Sequence, residues 1–281
     1  MATHHQHAAL HPAQRKTSVT AHDEYNATIV RRLEIHDHLN IFWIRPDGGV
    51  VPPFQAGQFF SIGRRIEPDE HEGVKTKLLK RAYSIASSPR EKDALEIFIA
   101  LVDDGAFTPW LWKQDVGSRL WLSPKPAGKF TMEGFEAGKD LVLVSTGTGL
   151  SPFLSMFRTF RDHPPWRRIV ILNGVRHARD LGYDRELAAA AAKDANLIYI
   201  PMASRERDDS GWPGMRGRVT EALKDDVYER LVGTPFDPAE CHVFLCGNPG
   251  MIDELERKLT QRGFTKHSRQ KPGTLHLERY W

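Results

Sequence analysis

Four apolar runs in the second half of the chain constrain its fold more than any other feature. They are LVLVS at 141–145, IVILNGV at 169–175, LIYIPMAS at 197–204 and HVFLCG at 242–247. Each leads toward a stretch of helical character: SPFLSMFRTFRD, DRELAAAAAKDA, VTEALKDDVYERL (after a loop) and PGMIDELERKLTQRG. Near-continuous apolar strands alternating with helices are strands covered on both faces, so the pattern predicts an α/β, doubly wound parallel sheet. Ligands of such sheets bind outside the carboxyl ends of the strands.

The first half has a different rhythm. From about Tyr25 to Leu122 come short β-type runs, NATIVRRLEI, LNIFWIR, GQFFSIG, RAYSIAS, LEIFIALV and RLWLS, punctuated by Gly, Pro and Asp. This spacing predicts an antiparallel barrel or sandwich. The expected organisation is therefore a tail at 1–20, an all-β domain at 21–135 and an α/β domain at 136–281. One stretch fits poorly. RRIEPDEHEGVKTKLLK, 64–80, reads as a charged excursion between two strands. In the tail, His4, His5, His7 and His11 read as a frayed terminus rather than a metal site.

Composition narrows the function. The 281 residues carry a net charge of +3, with scattered positive charges and no nucleic-acid footprint. The two cysteines, Cys241 and Cys246, lie in one apolar run. They predict no structural disulfide, a reducing compartment, and no iron–sulfur cluster, which needs roughly four ligands. No metal site is expected. No apolar run approaches the roughly 18 residues of a membrane span, and the N-terminus lacks a secretory h-region, so a cytoplasmic protein is expected.

Several residues are suited to chemistry. In KRAYSIASSP, alternation along a strand sets Arg81 and Tyr83 on one side and turns Ser84 aside. In LVLVSTGTGLSPF, Gly147 and Gly149 carry a strand into a helix, where unpaired N–H groups and a close backbone suit a pyrophosphate. A plain connecting turn is the alternative, because neither GxGxxG nor GK[ST] is present. Arg176, Arg205 and Arg218 follow the second and third apolar runs, at strand ends that share one sheet edge. Together they suit a 2′-phosphate, which planar guanidinium forks bind in two-pronged fashion. Asn248, Pro249 and Gly250 form a turn that opens the last helix. Cys246 is either a core thiol or a crevice group. The closing HLERYW predicts a final β-run carrying Tyr280 and Trp281.

RAYS, DDGAFT, TGTGLSPF, CGNPGM and a terminal ERYW follow one another in the order seen in ferredoxin/flavodoxin–NADP⁺ reductases. Over about 22–281 the chain resembles the bacterial members that also end in Tyr-Trp. The resemblance implies a six-stranded antiparallel FAD barrel followed by an α/β NADP(H) domain, with FAD and NADP(H) as cofactors. Arg81 then meets the FAD pyrophosphate, Tyr83 packs on the isoalloxazine with Ala82 beside it, and Ser84 lies near N5. Ile99, Ala100 and Leu101 pass the flavin, while Ala106, Phe107 and Thr108 lie near the phosphates. Thr148 sits at the flavin's edge and in the nicotinamide nucleotide's path. Arg176, Ser204, Arg205 and Arg218 match the adenosine-phosphate site, with Asn248 and Pro249 in the turn below it. Tyr280 covers the other flavin face and Trp281 lies toward the adenine. Ser84, Cys246, Glu278 and Tyr280 match the residues that flank the reacting ring.

The implied activity is hydride transfer between NADPH and flavin, with single electrons passed to a ferredoxin or flavodoxin, by a monomer. Two other readings stay open: the reductase component of an oxygenase or a free-flavin reductase, and a non-enzymatic flavin-binding redox sensor. The absence of a CxxxxCxxC motif argues against an oxygenase reductase that carries its own ferredoxin module.

Overall fold

The computed structural model describes residues 24–66 and 77–279. The N-terminal histidines, part of the 64–80 segment, and Tyr280 and Trp281 lie outside the described residues.

The first half forms strands β1 (Ala27–His36), β2 (Leu39–Pro46), β3 (Phe59–Ile66), β4 (Lys77–Ser84), β5 (Leu95–Ala100) and, after the short helix α1 (Thr108–Trp112), β6 (Arg119–Leu122). They make an antiparallel six-stranded sheet in the order β4-β3-β6-β1-β2-β5. Its ends meet through an antiparallel bridge between Ile85 and Ile97, supported by the Ala86 amide donating to the Glu96 carbonyl at 2.8 Å. The sheet is thus closed into a barrel, the one of the two forms offered by the spacing that the resemblance implied. Alternation supplies its interior: Ile29, Phe42, Ile44, Phe60, Ile62, Leu95, Ile97 and Leu120 are buried together.

The excursion expected at 64–80 is smaller than its charge suggested. Arg64 pairs with Leu79, Arg65 with Leu78 and Ile66 with Lys77, so both flanks are ladder and only 67–76 falls outside the described residues. The charges at Lys77, Lys80 and Arg81 belong to a strand at the end of the sheet order, where solvated charge also discourages pairing with other chains.

The second half forms β7 (Asp140–Thr146), α2 (Ser151–Phe160), β8 (Arg168–Val175), α3 (Asp184–Ala191), β9 (Leu197–Ala203), β10 (Met215–Arg216), α4 (Asp225–Val232), β11 (Cys241–Gly247), α5 (Pro249–Gln261) and β12 (Leu275–Arg279). The strand order is β10-β9-β8-β7-β11-β12, with every neighbouring pair parallel. Side-chain alternation divides the apolar runs between two cores. Leu141, Leu143, Ile169 and Ile171 pack with Phe153, Leu154 and Phe157 of α2 and with Leu187 of α3. Val142, Val144, Val170 and Leu172 pack with Tyr228 of α4 and with Ile252, Leu255 and Leu259 of α5. Both faces are covered, which is why these strands read as unbroken apolar runs. The first core continues into Leu39, Ile41 and Phe98 of the barrel, so one apolar layer joins the two halves.

Candidate functional site

The site is assembled where strand ends meet. β11 and β12 run side by side with Cys246 opposite Glu278 and Gly247 opposite Arg279. β4 of the barrel ends at the same place. There the Ser84 hydroxyl donates to Glu278 Oε2 at 3.2 Å, and the Cys246 thiol lies 3.9 Å from that oxygen. Ser84 is 6% exposed and Cys246 is fully buried. Burial raises the Glu278 carboxyl to about 7, against the opposing hydrogen bonds from Ser84 and Cys246. Three residues separated by up to 194 positions thus form one protonatable cluster between the halves. Cys246 is a core thiol, fully buried, that also contacts the carboxyl.

Arg81 and Tyr83 share a face, as alternation required. Their cross-strand partners are Ile62 and Phe60, and Arg64 follows on that face two residues beyond Ile62. The Tyr83 ring lies 6.1 Å from Phe107, and burial raises its hydroxyl's pKa. Arg81 is exposed, its Nη1 donating to the adjacent Lys80 carbonyl at 2.8 Å. Arg64 has a buried Nε with no hydrogen-bond partner among the described residues, and its guanidinium lies 5.8 Å from the Trp110 ring centre. A buried guanidinium donor is costly to leave unmet. An aromatic face followed by two cations suits a flat, phosphate-bearing ligand. Arg64 escaped the sequence reading because it stands inside a charged run; its spacing of two from Ile62 was the available clue.

The flanking residues divide by role. Ile99 is 1% exposed within the barrel core, so its backbone alone can face a ligand, whereas Ala100 is exposed and Leu101 half-buried. Ala82 and Ala106 are exposed. Phe107 packs inward between Tyr83 and Trp110. The Thr108 hydroxyl accepts from the Val102 amide at 3.0 Å and donates to the Val102 carbonyl at 3.1 Å, closing the loop that begins with Asp103 and Asp104.

The glycine turn works differently from its simplest sequence reading. Gly147 has φ +54° with open space where a Cβ would lie, the condition for a close ligand approach. Gly149 faces inward instead. A Cβ there would lie 2.5 Å from the Cys246 carbonyl oxygen and 2.8 Å from Gly247 Cα. Its bareness lets the turn press against the end of β11. Thr146 Oγ1 ties the two turns together by accepting from the Asn248 amide at 2.7 Å. Asn248 in turn caps α5 by accepting from the Met251 amide at 3.2 Å, with Pro249 at the first helical position. Thr148 is half-buried beside this junction.

Arg176, Arg205 and Arg218 lie along one sheet edge. Val175 and Ala203 end neighbouring strands in register. The Ser204 amide donates to the Val175 carbonyl at 3.0 Å and the Arg205 amide to the Arg176 carbonyl at 2.8 Å. β10 lies alongside β9, and the Gly217 amide donates to the Ala203 carbonyl at 3.1 Å, bringing Arg218 to the same edge. Arg176, Ser204, Arg205 and Arg218 are exposed. The side chains of Arg176 and Arg205 make no hydrogen bond or ion pair with the described residues. Arg216, which the sequence reading passed over, stands among them but is engaged by the Arg207 and Trp212 carbonyls and by Asp208.

The edge of exposed arginines, the bare glycine turn and the buried carboxyl beside the Tyr83 strand all lie at strand ends. Residues 143–257 match the oxidoreductase NAD-binding domain family model. The chain is 30% identical over 267 residues to a ferredoxin–NADP reductase of Azotobacter vinelandii, covering 90% of this chain and 97% of that one. It is 34% identical over 211 residues to the reductase component DmpP of a Pseudomonas phenol 2-monooxygenase, covering 74% of this chain and 54% of that protein. Among solved structures, a ferredoxin NADP⁺ reductase from Neisseria gonorrhoeae with bound FAD and NADP superposes with a TM-score of 0.78 at 28% identity, covering 90% of this chain and 97% of that one. The chain belongs to the ferredoxin/flavodoxin–NADP reductase family.

Proposed function

We propose that this protein is an FAD-dependent oxidoreductase that moves a hydride between NADPH and flavin and exchanges single electrons with a ferredoxin or flavodoxin. The observation that carries the proposal is the Ser84–Glu278–Cys246 cluster, which joins the end of the Arg81/Tyr83 strand to the parallel strands β11 and β12. The orphaned donor of Arg64 and the shared face of Arg64, Arg81 and Tyr83 fit an FAD pyrophosphate and ring.

Bound FAD supplies the two-electron and one-electron chemistry. Arg81 and Arg64 would hold its diphosphate and Tyr83 would pack on its ring, with Ala82, Ala100, Leu101, Ala106 and the backbone of Ile99 beside it. Phe107 buttresses Tyr83, and Thr108 shapes the phosphate-side loop. Arg176, Ser204, Arg205 and Arg218 read the adenosine phosphate; Thr148, Asn248 and Pro249 line the approach. The roles expected of Tyr280 and Trp281 rest on the resemblance alone, since both lie outside the described residues. Glu278, poised near neutrality, holds or releases a proton at Oε2 and passes it through the Ser84 hydroxyl. Hydride transfer itself requires alignment and exclusion of water rather than a base.

Among the described residues no helix is long and apolar enough to cross a membrane. The proposal places a monomer in the cytoplasm, independent of nucleic acid and membrane, with an acidic carrier as partner. The purified protein should be yellow, release FAD on denaturation, and reduce ferredoxin or flavodoxin with NADPH. Colourless protein that takes up no FAD contradicts the reading. The similarity to the phenol monooxygenase component favours one second reading, an oxygenase reductase acting through a separate carrier. Turnover supported by an oxygenase's carrier and by no ferredoxin or flavodoxin of the cell selects it.

A further inference from the structure

α2 begins one residue after the glycine turn Gly147–Leu150, and its polar face runs down the seam between the two halves. Ser155, Arg158 and Thr159 are spaced three and one apart and share that face. They meet the segment that leaves the Tyr83–Ser84 strand. Ser155 Oγ donates to the Ser87 carbonyl at 2.7 Å. Arg158 Nη1 donates to the Ala86 carbonyl at 3.0 Å and to Glu96 Oε1 at 2.9 Å. The hydroxyls of Thr159 and Ser88 lie 3.0 Å apart. The remaining nitrogens of Arg158 clasp Glu186 of α3 at 2.8 and 2.6 Å, and the Tyr183 hydroxyl donates to Glu96 Oε1 at 2.7 Å.

This strip is more buried than an ordinary surface network. The Arg158 side chain is 13% exposed and that of Glu96 7%, while Ser155 and Ser87 are fully buried. Desolvating such ions is expensive, and well-packed apolar residues often serve stability as well. The rest of the seam is apolar: Leu39, Ile41 and Phe98 of the barrel with Phe153, Leu154 and Phe157 of α2. Dispersion and burial are non-directional, so an apolar seam alone tolerates sliding of one half on the other. Hydrogen bonds of defined length and angle do not. The strip lies five to nine residues past the glycine turn on one side and two to four residues past Ser84 on the other.

We propose that Arg158, with Ser155 and Glu96, is a registering device: it fixes the offset between the glycine turn and the Tyr83–Ser84 strand, and so sets the hydride-transfer geometry from outside the reaction centre. The inference rests on the proposed function, and Arg158 is a positioning residue. An offset of about 1 Å at the reacting atoms costs about 10²-fold in rate.

The test compares wild type with Arg158→Met/Glu96→Gln, which removes both buried charges, Arg158→Lys, which keeps one donor charge, and Ser155→Ala. In the double variant FAD content and NADPH affinity should hold. The stopped-flow rate constant for flavin reduction should fall about 10²-fold, as a loss in kcat rather than a rise in KM. Arg158→Lys should recover part of that loss. Hydrogen–deuterium exchange should show lost protection in both 86–90 and 147–150, in cofactor-loaded and cofactor-stripped protein alike. If the double variant fails to fold, Ser155→Ala carries the test, with a smaller fall in the same rate constant and the same paired loss of protection. Flavin reduction within twofold of wild type in the folded variants, or exchange that rises on one side of the seam alone, overturns the proposal. A wild-type protein that binds no FAD or is not reduced by NADPH overturns instead the function on which it rests.

Discussion

The two ligand-suited edges of this molecule are built on opposite terms. On the barrel side Tyr83 is half-buried, Ser84 is almost fully so, Arg64 has a buried unmet donor, and the adjoining Glu278 carboxyl is raised to about 7 by burial. On the parallel-sheet side Arg176, Ser204, Arg205 and Arg218 stand exposed at strand ends, two of the arginines with no partner among the described residues. A desolvated, preorganised edge suits a group that stays; a hydrated, open one suits a nucleotide that enters and leaves at every turnover. Under the proposed function, the contrast separates resident cofactor from exchanging substrate.

The largest effect should come from the open edge. Hydrogen bonds to charged groups contribute about 1.5–3 kcal/mol each, so Arg176→Ala with Arg205→Ala should lower kcat/KM for NADPH about 10²–10⁴-fold. Activity with NADH should stay near its starting value in the same steady-state assay. Equal losses with both nucleotides remove the phosphate role. On the closed edge, Arg64→Met keeps most of the stem's packing and removes the guanidinium. The FAD dissociation constant, read by flavin fluorescence, should rise about 10–100-fold on the same reasoning. An unchanged constant leaves the orphaned Nε without a ligand.

The junction of the two edges is probed sterically. Gly149→Ala places a methyl 2.5 Å from the Cys246 carbonyl oxygen, and overpacking of this kind costs about 1–3 kcal/mol in chemical denaturation. Gly147→Ala, by contrast, meets open space and is limited only by its backbone angle.

The most diagnostic effect is the pH dependence of Glu278. Its folded pKa is raised by burial from 4.5 to about 7. Between these values the native state binds the extra proton. Its contribution to stability is therefore complete below about pH 4.5 and is lost as pH rises through 7, at no more than about 1.4 kcal/mol per pH unit. Glu278→Gln should flatten that slope and remove an inflection near pH 7 from carrier-linked turnover. A slope identical to wild type means the carboxyl titrates elsewhere.

Period and punctuation made much of the architecture readable. The four apolar runs marked β7, β8, β9 and β11 because doubly covered strands need no polar face. The barrel strands showed themselves as short alternating runs. The two-residue β10 and the five-residue α1 did not, since elements that short carry no period. Charge misled at 64–80, where an end strand's solvated residues resembled a loop. At the candidate site, strand-end logic singled out Arg176, Arg205 and Arg218, and the resemblance singled out Ser84, Cys246 and Glu278, whose contact with one another shows only in the fold. Arg64 was missed inside its charged run, and its unmet donor showed only in the packing. The inward role of Gly149 was hidden for the same reason: its neighbour, Cys246, lies 97 residues away along the chain yet touches it in space.

The central claim is that guanidinium groups on the sheet edge deliver a phosphorylated nicotinamide to a flavin held by the barrel edge. Its most direct test is anaerobic stopped-flow bleaching of flavin absorbance by NADPH and by NADH at matched concentrations. The account predicts rapid bleaching with NADPH and a rate lower by at least about 10²-fold with NADH, the value of one lost guanidinium–phosphate contact at the upper end of its range. Equal rates with the two nucleotides contradict it.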